Sequence, residues 1–353
     1  MASTFKTLLN NDVVSTRSML HEAIPLTGTI VSGTYADNNI KNFTHGMFQQ
    51  VYDYPYLSSS ANHIFDLTVG ISANSTLSAS APTTTVNPQQ AKKINIYTEM
   101  AQILAGYNVS GGVRDFDRDG DLSDGAKMRE CFFVNFARLL SKDEIKKQSF
   151  SIVVMQSGGC AAPTQPLTIQ DHGALDDYKV NSPAGEYGLL YTSSTKQANT
   201  GVGLIYYQAG ICVLTASVFD EEMKNGKYFG LGYPNGLPQS DIKTVLTGTA
   251  ISGACDGFRN RLVNIAFNNT TELNSTVYFC RANNSEFNYS ANPTYLSSSK
   301  MVVKNNSTDT SVSYITTIGM YSADNELLAT AKLSEPLKKT PDDEFTLRVR
   351  LDY

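Results

Sequence analysis

CFFVNFARLL at residues 131–140 and SFSIVVM at residues 149–155 decide how the chain folds. Both are runs of aromatic and β-branched side chains at strand length, and the charged link SKDEIKKQ at residues 141–148 separates them. Residues 128–140 also admit a helical reading, but the β-branched and aromatic enrichment favours strands. Downstream the same grammar recurs at 167–170, 187–192, 202–207 and 210–215, with a turn at 171–174 and Gly, Asp, Asn and Ser between the runs. The last hundred residues continue it at 261–267, 272–281, 300–304, 312–321, 326–333 and 345–351. The fold class that follows is mainly β, built as antiparallel sandwich or barrel-like domains with a few short helices.

Upstream the pattern is weaker. Residues 7–19 suit one helix and residues 27–35 alternate like a strand. The aromatic run at 45–56 carries Phe48, Tyr52, Tyr54 and Tyr56, and is read as core before interface. ANSTLSASAPTTTVNP at 73–88 has almost no large or charged side chains and reads as an extended loop at a domain boundary. Ile94, Tyr97, Ala101 and Leu104 then fall at helical spacing, and Gly106 supplies the stop for a helix over 91–105. Residues 219–241 read as loop and 242–246 as a short helix. The expected division is 1–90 as an irregular attachment segment, 91–260 as a β-rich domain with one helix, and 261–353 as a C-terminal β domain. In its closing strand Phe345, Leu347, Val349 and Leu351 share one face, while Arg348 and Arg350 share the other.

The 353 residues carry 28 Lys and Arg against 33 Asp and Glu, a net charge of −5 with no basic block. That balance argues against a nucleic-acid surface. No run approaches a membrane span, and the first thirty residues lack the apolar stretch of a signal peptide, so the mature chain is expected to start near Met1. Cys131, Cys160, Cys212, Cys255 and Cys280 include no CxxC pair, which points to free thiols made in a reducing cytoplasm.

Chemistry-bearing motifs are few. The four histidines show no metal-ligand spacing, and phosphate-loop, dinucleotide and nucleophile-elbow signatures are absent from the sequence. SGGC at 157–160 leads into prolines, not a helix, and reads as a loop tip. No catalytic residue, cofactor or small-molecule substrate is expected. One candidate cation loop stands out, DFDRDGD, with Asp115, Asp117, Asp119 and Asp121 around Gly120. It matches the first seven positions of a calcium loop, but the twelfth, where a bidentate Glu belongs, is Ala126. The expectation is a solvated acidic turn, with calcium as its alternative.

YITTIGMYSADNELLATAKLSEPLKK at 314–339, with EFTLRVRLDY at 344–353, resembles a module of tail and baseplate proteins of tailed bacteriophages. DEIKKQSFSIVV at 143–154, VGLIYYQAGICVLT at 202–215 and NNTTELNSTVYFCRA at 268–282 are similar to virion proteins of T-even-like myoviruses, including cyanophages. The resemblance covers the C-terminal two-thirds in patches and specifies strands and turns. It implies a non-enzymatic virion subunit at the baseplate or tail, made in the host cytoplasm, contacting copies of itself and other virion proteins. A neck or head–tail junction subunit and a fibre-attachment or receptor-binding protein are the alternatives.

Overall fold

The computed structural model describes residues 5–26, 37–78, 88–122, 125, 127–157, 164–192, 201–219, 242–248, 250–288, 308 and 310–353. The chain is mainly β, in antiparallel sheets with few helices. The first strands are β1 (Val13–Leu26), β2 (Ile40–Asn42), β3 (Gln49–Tyr52) and β4 (His63–Ile71). After a helix at Pro88–Leu104 come β5 (Phe116–Asp117), β6 (Lys127–Met128), β7 (Glu130–Phe136), β8 (Glu144–Ile145), β9 (Ser151–Ser157) and β10 (Thr164–Gln170). Then follow β11 (Lys179–Ser182), β12 (Gly185–Leu190), β13 (Gly203–Tyr206) and β14 (Ile211–Thr215). Helices at Ile242–Gly248 and Ile251–Arg261 lead into β15 (Leu262–Ala282), β16 (Ser313–Tyr321), β17 (Leu327–Lys339) and β18 (Phe345–Asp352). Two compact units result: a larger one, Leu20–Thr271, and a terminal one that joins Met1–Met19 to Glu272–Tyr353.

The larger unit centres on an eight-stranded sheet in the order β11-β12-β13-β14-β7-β4-β3-β2. β7 explains why CFFVNF reads as one apolar run and not as an alternation: both of its faces are covered. Phe132 stacks on Phe258 of the helix Ile251–Arg261, and Phe136 meets Phe150 and Phe267. On the opposite face, Phe133 packs against Tyr97 of the helix Pro88–Leu104 and against Phe116. A second, smaller layer is formed by β10, β9 and the first half of β15, with β8 against β15. Aromatic contacts across such layers add to the burial of the rings themselves.

Gly70 sets the closeness of the helix to the sheet. A methyl group there would lie 2.9 Å from Phe133 Cε2 and 2.9 Å from the backbone Cα of Tyr97. The helix begins at Pro88, buries Ile96, Tyr97, Ala101 and Leu104, and ends as Gly106 turns to φ +79.

The terminal unit is built differently. The second half of β15 pairs with β18 from Ser275↔Asp352 to Ala282↔Phe345, and β1 flanks β15. β16 and β17 form a separate two-stranded ribbon. Its base is held by Lys339, whose buried ammonium donates to Asn284 O, Asn288 Oδ1 and Thr340 O at 3.2, 2.7 and 2.8 Å.

Several sequence expectations change. Residues 13–19 belong to β1 and not to a helix, because they pair with β15, which is remote in sequence, and they are themselves largely exposed. Residues 261–267 and 272–281 are one continuous strand. The helix Ile251–Arg261 had no counterpart in the reading of the sequence. β18 alternates as expected, yet only Val349 is fully buried. The strands read at 27–35 and 300–304 lie outside the described residues, as do residues 79–87 of the boundary loop, most of 219–241, and Cys160 with its loop tip. Among the described residues no helix is long and apolar enough to cross a membrane.

The contact at Gly70 gives a direct test. Gly70→Ala is expected to cost about 1–3 kcal/mol by forcing the helix off the sheet, and Phe133→Ala about 3–5 kcal/mol. Urea denaturation measures both, and an unchanged midpoint for Gly70→Ala would show that the helix is not held at this distance.

Candidate functional site

β5 and β6 pair Phe116↔Met128 and Asp117↔Lys127, closing the acidic loop like a clasp. Within it, one carboxylate oxygen each from Asp117, Asp119 and Asp121 lies within 4.8 Å of the others. Gly120, at φ +75, makes the turn that folds Asp121 back, and its carbonyl accepts from Asn181 Nδ2 at 2.9 Å and from Tyr187 Oη at 3.2 Å. Asp115 stands apart: it accepts from Ser72 Oγ at 2.6 Å and Asn74 Nδ2 at 3.2 Å and pairs with Arg129 at 3.5 Å. Of the four candidate aspartates, three therefore converge and the first anchors a neighbouring turn. Ala126 lies outside the described residues.

The turn is not solvated throughout. Asp117 is only 1% exposed, and its Oδ2 takes the Leu122 amide at 2.9 Å and Lys127 Nζ at 3.2 Å. Its buried Oδ1 has no donor among the described residues. Burial, and after it the Asp119 carboxyl alongside, push the Asp117 carboxyl up to about 6 against the opposing Lys127 ammonium. After burial, the negative charges of Asp117, Asp119 and Asp121 help hold the Tyr187 phenol above its ordinary value.

A second feature is the apolar surface of the terminal unit. The hydrophobic side chains buried there, among the described residues, are Val277, Ala282 and Val349. Along β16 and β17, Tyr314, Tyr321, Leu327 and Leu328 are exposed, and Val14 and Met19 of β1 are exposed as well. Phe5 rests on Tyr321 with ring centroids 4.3 Å apart. Ion pairs also tie the N-terminal segment down: Lys6 to Glu286, Arg17 to Glu272, and Asp12 to Arg281 at 2.8 Å.

The aromatic run divides. Phe48 is half-buried and lines an open groove of about 390 Å³ with Met47, Met100 and Ile103, whereas Tyr54 and Tyr56 are exposed. His63 pairs with Asp66 at 2.8 Å beside that groove. Cys131, Cys212 and Cys255 are buried free thiols, and burial raises all three above the ordinary thiol value. Lys93 is wholly buried, donates to Leu246 O at 2.5 Å and is lowered by burial to about 8.

Asp171 organises the link before β9. It accepts from the Gln148 and Phe150 amides at 2.7 and 3.0 Å and from Tyr207 Oη at 3.0 Å. Burial nevertheless lifts its carboxyl to about 7. No family model, curated protein or solved structure matches the chain.

Because folded Asp171 holds its proton up to about pH 7 and an unfolded aspartate only to about 3.9, its contribution to stability falls as pH rises through that interval and is flat above it. The stability of Asp171→Asn relative to wild type is therefore expected to improve between pH 4 and pH 7. Denaturation at matched pH measures it, and a pH-independent difference would contradict the assignment.

Proposed function

We propose that the chain is a structural subunit of a tailed-phage virion, a baseplate or tail-associated assembly protein that acts by contact with copies of itself and with other virion proteins. The observation that carries this reading is how few apolar side chains are buried among the described residues of the terminal unit: Val277, Ala282 and Val349. A sheet with an apolar face is stable when a second layer covers it, and a two-stranded ribbon alone is marginal in water. Among the described residues no further strand pairs with β16 or β17, and Tyr314, Tyr321, Leu327 and Leu328 are exposed on them. Tyrosine and leucine interspersed with Lys332, Glu335 and Lys338 make a surface suited to protein contacts, with charges of both signs that suit a second copy.

The resemblance of 314–339 and 344–353 to tail and baseplate modules falls on this same unit.

Immunogold labelling of virions with antibody to this chain tests the location; label at the tail or baseplate is expected, and virions free of the protein would overturn the proposal. Replacing residues 314–338 with a short Gly-Ser linker is expected to leave the melting of the larger unit unchanged while blocking incorporation into particles. Normal incorporation of that variant would remove the ribbon from the account.

A further inference from the structure

We propose that Asp117, Asp119 and Asp121 form a binding site for one hard divalent cation of the calcium class, independent of the virion role. The geometry suits a single ion. Calcium binds oxygens at about 2.3–2.6 Å, so two ligands on opposite sides of it stand about 5 Å apart, and the three carboxylate oxygens here all lie within 4.8 Å of one another.

The second observation is Asp117 itself. A carboxylate oxygen shielded from water without a donor is costly, and Asp117 Oδ1 is in that position while its neighbour is another carboxyl group. Hydrogen-bond donors already serve the other oxygen, from Leu122 and Lys127. A cation would give Oδ1 the partner that the described residues do not supply.

The sequence reading placed position 1 of the loop at Asp115 and found the twelfth position empty of carboxylate. With Asp115 engaged by Ser72, Asn74 and Arg129, the converging set starts two residues later, so Ala126 no longer decides the matter. The ion would fasten the turn closed by the Asp117↔Lys127 pair and held by Asn181 and Tyr187 through Gly120 O.

The competing explanation is a proton held between Asp117 and Asp119. Full-length protein, stripped with chelator at pH 7.5, is titrated calorimetrically with CaCl₂ and separately with MgCl₂, and its melting is followed in parallel. Saturable binding near one ion per chain is expected. At a hundredfold excess over Kd the melting temperature should rise on the order of 5 °C. Asp117→Asn and Asp119→Asn should each lose both responses, and Asp121→Asn serves if either fails to fold, with circular dichroism checking each variant. Absence of binding by either ion up to about 10 mM, above the range of weak calcium modules, would overturn the site. So would binding that the folded variants retain in full, and a wild type indifferent to ions but stabilised by Asp117→Asn would assign the pair its proton instead.

Discussion

A β-sheet must cover its apolar faces, and the two units of this chain meet that constraint to different degrees. In Leu20–Thr271 the eight-stranded sheet is covered on both sides, by the helix carrying Tyr97 on one and by the helix carrying Phe258 and the β9–β15 layer on the other. β7 is the strand on which this depends, because Phe132 and Phe136 serve one face and Phe133 the other. Burying one such ring is worth about 1.5–3 kcal/mol. In Met1–Met19 with Glu272–Tyr353 the strands are held by pairing, ion pairs and the buried Lys339 ammonium, with little apolar burial among the described residues.

That contrast orders the functional reading. On the proposed assembly role, a unit of several strands whose tyrosines and leucines face outward would be completed by a partner subunit. The acidic loop belongs to the other unit and answers a local problem, the buried Oδ1 of Asp117.

Much of the fold was legible because burial on two faces writes itself into sequence as unbroken apolar runs. CFFVNF, GLIY and ICVLT were found for that reason. The helix Pro88–Leu104 was found from Tyr97, Ala101 and Leu104, and its end from Gly106. Residues 13–19 were misread because a strand paired on an exposed flank carries no burial signal, and VVSTRSM has none. The helix Ile251–Arg261 was missed because two glycines and a mixed polar surface hide the face of Ile251, Ala254, Cys255 and Phe258. The acidic loop was legible as composition but not in register, since what removes Asp115 from the cluster is its contact with Ser72 and Asn74, some forty residues away in sequence.

Hydrogen exchange on the free chain and on the chain within purified virions tests the central claim most directly. Amides of β1, β16 and β17 should exchange readily in the free chain and become strongly protected after assembly, while those of β4, β7 and β14 stay protected in both. Equal protection of β16 and β17 in the two states would contradict the account, because it would mean that the terminal unit needs no partner to cover it.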